Sequence, residues 1–212
     1  MATISSALQS AGTLWDVLAG PPADTTAIIL PETDTSVTYG QLRAQIQEMA
    51  GALAALGVKP GEREATSLPN GLAAIVSFVA ASMAGTAAPL NPGYRQEEVE
   101  FYLEDTSAKL LLVPAEGMDD AKAAAKAKGV PVYVLVTDAS GYCRIAGASA
   151  GAAPAVDPEG VALVLHTSGS TGRPKRVPIK HRNLAASTRN IAATYDLSTN
   201  DVALCVMPLF HV

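Results

Sequence analysis

The chain has 212 residues, and 49% of them are hydrophobic, which is ample for one substantial core. Lys and Arg number 15 against 20 Asp and Glu, so the formal net charge is -5. This composition does not favour nucleic acid as a partner, because binding to a phosphate backbone calls for a basic face.

The first residues contain no basic segment followed by an apolar one, so they do not indicate a secretory signal. The longest apolar stretch, residues 72–84, includes two serines and is shorter than the roughly 20 residues that span a bilayer. We therefore expect no transmembrane segment and a cytoplasmic protein, with a peroxisomal location open if a C-terminal signal lies outside this chain. Cys143 and Cys205 lie far apart and outside any metal-ligand spacing, so we expect free thiols and no metal site.

Strand and helix signals alternate along the first half of the chain. An apolar run at residues 27–30 predicts a short strand, and Thr38 with Gln41 three residues later has the spacing of a capping box. The next helix is predicted from apolar residues at helical spacing, and Gly57 followed by Pro60 ends it. Those apolar residues are Leu42, Ile46, Met49, Leu53 and Leu56.

Three further elements are predicted before residue 91. Residues 64–68 have the composition of a strand, and Asn70 is placed to cap an apolar helix over residues 72–84. Gly85 ends that helix, and residues 86–90 predict a short strand that leads into an Asn-Pro-Gly turn.

The same alternation continues. A helix carries residues 97–103, and its acidic residues are interpreted as a solvated face rather than a metal site. Residues 109–113 and 130–136 predict strands on either side of a helix over residues 119–128. This order predicts an α/β fold with a mostly parallel sheet flanked by helices on both faces. The acidic residues are Glu97, Glu98, Glu100, Glu104 and Asp105.

The last third of the chain begins with a segment rich in Ala, Gly, Ser and Pro at residues 146–158, which predicts a surface connection or a subdomain hinge. A buried strand follows at residues 161–165, then a helix at 183–195 and a final strand at 201–207. Parallel sheets bind ligands at the carboxyl ends of their strands, so the segment after residue 165 should lie at the ligand-binding edge.

That segment is rich in glycine and hydroxyl groups. Glycines let the backbone approach an anion closely, free N–H groups form an anion-binding concavity, and Lys175 adds a compact positive charge. It is not a Walker A loop, because Pro174 stands where that motif has glycine and Arg176 follows the lysine. We predict a polyphosphate site, and the plain alternative is a flexible polar surface loop. The predicted phosphate-binding residues are Thr167, Ser168, Gly169, Ser170, Thr171, Gly172 and Lys175.

The segment from His166 to Pro178 (HTSGSTGRPKRVP) resembles the phosphate loop of adenylate-forming enzymes, which include acyl-CoA synthetases, aryl-CoA ligases and luciferases. The last residues, MPLFHV, resemble the start of the next motif of that family. Two motifs in the right order make chance agreement improbable. Residues 86–91, 97–105 and 109–114 look most like the oxalyl-CoA synthetase branch, and the resemblance covers the chain from about Leu14 onward.

This resemblance implies that residues 1–212 are the N-terminal portion of an AMP-binding domain. The loop would embrace the β- and γ-phosphates of ATP, with Lys175 and His211 in catalytic roles, Lys175 on phosphate charge and His211 near the acyl pocket. The implied partners are ATP, Mg²⁺, CoA and a small carboxylic acid, oxalate being favoured. The family usually has glycine after the lysine, so Arg176 departs from the pattern, and it is expected either to contact phosphate or to point to solvent.

Two more histidines lie near the loop. His166 is expected to pack beneath the loop, with contact to the nucleotide as the alternative. His181, between Lys180 and Arg182, is interpreted as part of a solvated cationic cluster, with electrostatic help in anion capture as the alternative.

The family's adenine-binding segment, ribose-binding aspartate, magnesium-holding glutamate and C-terminal lysine are expected beyond residue 212. The chain is therefore interpreted as a truncated ATP-dependent acyl-CoA synthetase that is inactive alone and self-associates through its uncovered apolar face. The alternatives are a stand-alone module that binds ATP or pyrophosphate, and a fatty-acid or aryl-CoA ligase of the same superfamily.

Overall fold

The computed structural model describes residues 6–167 and 174–210. Its centre is a seven-stranded sheet with the strand order β7-β6-β5-β3-β4-β8-β9, and β1 and β2 form a separate hairpin. The helices are α1 (Ser6–Ser10), α2 (Leu14–Ala19), α3 (Tyr39–Ala55), α4 (Leu72–Ala84), α5 (Gln96–Thr106), α6 (Asp119–Lys128) and α7 (His181–Thr194). The strands are β1 (Thr26–Leu30), β2 (Thr35–Thr38), β3 (Arg63–Ser67), β4 (Thr86–Leu90), β5 (Leu110–Pro114), β6 (Val132–Thr137), β7 (Cys143–Ile145), β8 (Val161–Thr167) and β9 (Lys175–Lys180).

The five inner strands of the sheet are parallel, and only the edge strands β7 and β9 run antiparallel to their neighbours. The predicted α/β fold with a mostly parallel sheet is therefore confirmed. Because the inner strands share one direction, their carboxyl ends, at Ser67, Leu90, Pro114, Thr137 and Thr167, all lie along one edge. We call this the carboxyl edge of the sheet, and the opposite side the amino edge.

Both faces of the sheet are buried by helices. Leu110 and Leu112 of β5 pack into the cluster formed with α3 and α4, whereas Leu111 and Val113 pack into the cluster formed with α5 and α6. Successive side chains of a strand point to opposite faces, so a strand buried on both faces has a continuous apolar sequence. The run of leucines at 110–112 is explained in this way.

The entry into α3 confirms the capping box predicted from Thr38 and Gln41. The Gln41 N–H donates to Thr38 Oγ1 at 3.2 Å, and the Thr38 N–H donates to Gln41 Oε1 at 2.8 Å. Two backbone donors at the helix start are satisfied in this reciprocal arrangement, which stabilises the helix by about 1 kcal/mol. β2 therefore passes directly into α3.

Some elements differ from the sequence predictions. Residues 201–207 form no strand; they run outside the sheet with Val202, Leu204 and Val206 all exposed. The predicted strand was wrong because an alternating apolar pattern specifies a strand only where a partner strand is available. β9, which the sequence did not predict, is basic and contains Pro178, a composition that is tolerated on an edge strand.

Residues 146–158 contain no helix and no strand, in agreement with the predicted connection. The backbone of this connection packs directly on α3: a Cβ added to Gly51 would lie only 2.0 Å from the Gly151 carbonyl oxygen. A larger residue at position 51 would push the connection away from the helix. Whether the segment acts as a hinge stays a prediction.

Cys143 is buried, Cys205 is exposed, and both are free thiols. Over the part of the chain that the structure describes, we find no helix that combines the length and the apolar character needed to cross a membrane.

The Glu64 side chain is fully buried in β3, toward the amino edge. Its Oε2 accepts a hydrogen bond from the Thr86 N–H at 3.0 Å. Its Oε1 has no hydrogen-bond partner among the described residues. Burial penalises the charged carboxylate and raises the pKa of Glu64 well above its ordinary value of 4.5.

The replacement Glu64→Gln tests this burial, because glutamine keeps an oxygen for the Thr86 N–H but does not ionise. The raised folded-state pKa means that the stabilising contribution of Glu64 is fully present below pH 4.5 and is lost as the pH rises toward the folded-state value. We therefore expect the stability of Glu64→Gln relative to wild type to increase between pH 4.5 and neutral pH in urea unfolding.

The matched control is Glu116→Gln, because Glu116 is exposed. Its stability relative to wild type should stay constant over the same pH range. A constant difference for Glu64→Gln as well would contradict the raised pKa of Glu64.

Candidate functional site

The predicted phosphate loop joins two antiparallel strands at the carboxyl edge. β8 pairs in parallel with β4 and carries Thr167 to that edge, and β9 returns from Lys175. Thr167 and Lys175 are direct cross-strand partners, so the two ends of the loop are held side by side. The predicted residues Ser168, Gly169, Ser170, Thr171 and Gly172 lie outside the described residues.

Lys175, the first residue of β9, is exposed. Among the described residues, no carboxylate lies within ion-pair distance of its ammonium group. The structure therefore places an uncompensated positive charge at the base of the predicted loop. A charge in this position is available to an anionic ligand.

His166 lies one residue before this base, and its side chain is only 9% exposed. Its Nε2 is hydrogen-bonded to Oδ2 of Asp105 at 2.9 Å, and its ring packs edge-on against Tyr102 with a centroid distance of 4.7 Å. Tyr102 in turn stacks on Tyr94 at 5.0 Å. Residues 168–173 lie outside the described residues, so the interpretation that His166 packs beneath the loop stays a prediction.

The hydroxyl of Tyr102 stays protonated in this aromatic layer. Burial, together with the hydrogen bond to Tyr94, raises the pKa of Tyr102 above its ordinary value of 10.0. The ring that packs against His166 is therefore neutral, and the hydrogen-bond partner of the imidazole is the Asp105 side chain.

Arg176 is the residue that departs from the family pattern. Its Nη1 donates a hydrogen bond to the main-chain carbonyl oxygen of Asp105 at 2.5 Å, in the last turn of α5. The last carbonyls of a helix lack partners within the helix and carry partial negative charge, so a guanidinium there is favourable. Neither expectation for Arg176, a phosphate contact or free solvation, describes this bond.

The segment that carries the second family motif is attached to the same edge. The Nδ2 of Asn70, just after β3, donates to the Met207 carbonyl at 2.9 Å, and the Leu209 N–H donates to Asn70 Oδ1 at 2.8 Å. Asn70 is therefore not the cap of α4; the capping residue is Gly71, which has no side chain to offer. His211, the other predicted catalytic residue, lies outside the described residues.

His181 lies at the opposite edge of the sheet, because Lys180 pairs with the first residue of β8, Val161. The imidazole is buried, and its Nε2–H donates to the Ser82 carbonyl at 2.8 Å. Burial lowers the pKa of His181, which keeps the ring neutral. The predicted solvated cluster is therefore wrong for His181, although Arg182 is exposed, Lys180 is partly buried, and both pair with Glu159.

Sequence reasoning missed two residues at the carboxyl edge. Asp105 was assigned to a solvated helix face, because nothing near it in sequence reveals its contact with β8 and β9. Asn70 was assigned to a local cap, because asparagine before a helix is a common capping pattern. Both residues form hydrogen bonds with residues at least 61 positions away in the sequence, and a local sequence pattern does not predict such contacts.

Comparison with known proteins places this geometry in context. A family model described as AMP-binding enzyme matches residues 14–212. An oxalate–CoA ligase from Arabidopsis thaliana is 41% identical over 186 residues, which are 84% of this chain and 36% of that protein. A probable CoA ligase from Humulus lupulus is 40% identical over 194 residues, covering 87% of this chain and 37% of that protein.

The fold is also that of solved enzymes. The crystal structure of ATP-bound MatB from Rhodopseudomonas palustris matches with a TM-score of 0.79 and 28% identity, over 94% of this chain and 41% of that one. The resemblance to adenylate-forming enzymes, and to oxalate–CoA ligases among them, is confirmed. The chain spans less than half the length of these relatives.

The two hydrogen bonds of Asn70 generate a prediction. In Asn70→Ala we expect the Leu209 amide to exchange with solvent about fivefold faster, because a typical hydrogen bond contributes about 1 kcal/mol. Amide hydrogen exchange followed by NMR measures this directly.

Asn200→Ala is the matched control, since Asn200 is an exposed asparagine in the neighbouring turn. It should leave the Leu209 exchange rate unchanged. Equal exchange of the Leu209 amide in wild type and Asn70→Ala would show that Asn70 does not hold this segment.

Proposed function

This chain belongs to the AMP-binding enzyme family, and we propose that it forms the phosphate-binding N-terminal part of an ATP-dependent acyl-CoA synthetase. The observation that carries the proposal is the pairing of Thr167 with Lys175 at the carboxyl edge. This pairing brings the ends of a Gly-, Ser- and Thr-rich loop together beside an uncompensated lysine, at the edge where parallel sheets bind ligands.

The proposed reaction has two steps. In the first, a carboxylate oxygen attacks the α-phosphorus of ATP, the bond to the bridging oxygen breaks, and pyrophosphate leaves an acyl-adenylate behind. In the second, the sulfur of CoA attacks the acyl carbon, AMP leaves, and the thiol proton is released. Negative charge moves onto pyrophosphate in the first step, so cationic and N–H donors at that position stabilise the transition state.

The chain's own residues have defined roles in this proposal. Lys175 binds and neutralises the β- and γ-phosphates, and the hydroxyls and backbone N–H groups of the loop, from Thr167 to Gly172, donate to their oxygens. His211 orients the carboxylate at the acyl pocket, within a segment whose preceding residues Asn70 holds at the carboxyl edge.

Magnesium belongs to the proposal as a partner of the ATP phosphates. Among residues 6–167 and 174–210, no three His, Cys, Asp or Glu side chains are grouped to hold a metal ion. We therefore assign none of these described residues as a magnesium ligand.

Oxalate is the favoured acid. Its support is the oxalate–CoA ligase from Arabidopsis thaliana, which is 41% identical to this chain. A small dicarboxylate needs donors and cations in its pocket, whereas a fatty acid needs an apolar tunnel. The alternative is a fatty-acid or aryl-CoA ligase, and an activity panel of oxalate, long-chain and aryl acids on the native protein that carries this chain separates these classes.

The cytoplasmic location stays a prediction.

Because the chain spans only 36% of its oxalate–CoA ligase relative, the whole reaction is proposed for a longer protein. The 212 residues by themselves should make no oxalyl-CoA. The rival is a stand-alone module that binds ATP or pyrophosphate without turnover. The intact mass of the endogenous protein distinguishes them, because a stand-alone module would match the 21.7 kDa of this chain.

Lys175→Ala tests the phosphate assignment. We expect pyrophosphate to bind this variant at least about tenfold more weakly than wild type in calorimetry, because a charge-assisted contact to an anion is lost. Thermal unfolding should be unchanged, since Lys175 is exposed. The matched control is Lys126→Ala, which removes the same charge from exposed Lys126 on α6 and should leave pyrophosphate affinity unchanged.

A Lys175→Ala variant that binds pyrophosphate as tightly as wild type would remove the support for a phosphate site at this loop. It would also favour the plain alternative of a polar surface loop.

The exposed apolar residues near the end of the chain predict self-association. Val202 and Leu204 are each 83% exposed, and soluble monomers rarely present a continuous apolar segment of this kind. In sedimentation experiments we expect the 212-residue chain to self-associate as its concentration rises. The variant Leu204→Ser should self-associate less than wild type at the same concentration. Ile29→Ser is the control, because Ile29 is exposed elsewhere in β1. A monomer at all concentrations would contradict the prediction. The apolar residues concerned are Ile191, Tyr195, Leu197, Val202, Leu204, Val206 and Met207.

A further inference from the structure

One residue of α5 is bonded to both strands that carry the predicted phosphate loop. His166 and Arg176 are cross-strand partners in β8 and β9, one step inside the Thr167–Lys175 pair at the loop base. The imidazole of His166 is bonded to the carboxylate of Asp105, and the guanidinium of Arg176 to its main-chain carbonyl. Asp105 is the penultimate residue of α5.

The two bonds use different parts of Asp105, so they do not compete. The carboxylate accepts from His166 at 2.9 Å, while the carbonyl is one of the helix-terminal acceptors that lack a partner within α5. The imidazole end of this bond is shielded from solvent, because the His166 side chain is 9% exposed and lies against Tyr102, whereas the Asp105 side chain is 35% exposed.

We propose that His166, Arg176 and Asp105 form a latch that positions the loop ends for phosphate binding. The latch fixes the base of β8 and β9 to α5, so that Thr167 and Lys175 are already side by side before the ligand arrives. Holding the binding groups in place before the ligand arrives reduces the entropic cost of binding, so a fixed pair of loop ends favours affinity. This inference rests on the proposed function, because it assumes that the loop binds phosphate.

The latch also gives Arg176 a role. The glycine that the family usually has at this position offers no side chain, so it does not reach α5. The planar guanidinium carries a permanent charge on a long side chain and donates to a carbonyl in the adjacent layer. His166 and Arg176 are positioning residues, since both side chains are bonded to α5 rather than directed at the ligand.

The latch is tested first without any ligand, by hydrogen exchange of the backbone amides in residues 161–167 and 175–180 of the 212-residue chain. We expect Arg176→Ala and His166→Leu each to speed exchange near Thr167 and Lys175. The conservative variants Arg176→Lys and His166→Gln keep a donor and should restore most of the protection. Arg182→Ala is the matched control, because Arg182 is an exposed arginine that pairs with Glu159 at the amino edge.

The second measurement is the affinity for pyrophosphate by calorimetry. We expect Arg176→Ala and His166→Leu to weaken binding about three- to tenfold, Arg176→Lys and His166→Gln to restore it, and Arg182→Ala to leave it unchanged. Asp105→Ala removes the carboxylate and keeps the carbonyl. In a His166→Leu background, Asp105→Ala should therefore weaken pyrophosphate binding no further. In an Arg176→Ala background, the losses of affinity from the two substitutions should add.

The outcomes separate the latch from the proposed function. If Lys175→Ala weakens pyrophosphate binding while His166→Leu and Arg176→Ala do not, the latch is overturned and the phosphate site stands. If Arg176→Ala weakens binding without changing amide exchange, Arg176 touches the phosphate itself and the latch is also overturned. If Lys175→Ala has no effect on binding, the proposed function fails, while the exchange data still decide whether α5 holds the two strands.

Discussion

The parallel pairing of β8 with β4 is the constraint on which the candidate site depends. It places the carboxyl end of β8, and with it Thr167, at the same edge as the ends of four other strands. At the other end of β8, the buried Thr86 hydroxyl donates to the Val161 carbonyl at 2.7 Å and ties the two strands together. The direction of β8 thus decides at which edge the candidate site lies, and β9 pairs with β8 there and brings Lys175 to that edge.

The two edges of the sheet have different chemistry. At the amino edge, Glu64 and His181 are buried. Burial raises the pKa of Glu64 and lowers the pKa of His181, and both shifts favour the neutral form. Neutral buried groups avoid the large cost of an unpaired charge in the core. At the carboxyl edge, Lys175 is exposed and carries a charge that no described carboxylate compensates. The buried groups at the amino edge are therefore neutral, whereas the carboxyl edge exposes the charge of Lys175 to an anion.

Most of the sheet could be predicted from the sequence, because a strand buried on both faces, such as β5, has a continuous apolar run. The capping box at Thr38 was equally accessible, since both of its bonds span three residues. The features that could not be predicted depend on contacts between residues far apart in the sequence. β9 is a strand only because β8 lies beside it, Asp105 acts on residues 61 and 71 positions away, and residues 201–207 have the right pattern but no partner strand.

The central claim is that the β8–β9 hairpin holds a polyphosphate at the carboxyl edge. The most direct test is an NMR titration of the ¹⁵N-labelled chain with pyrophosphate, which follows every backbone amide at once. The account predicts that chemical shift changes concentrate between His166 and Arg176 and fade toward the amino edge. Changes centred instead on the cations near Glu159, at Lys180 and Arg182, or no change at any concentration, would contradict it.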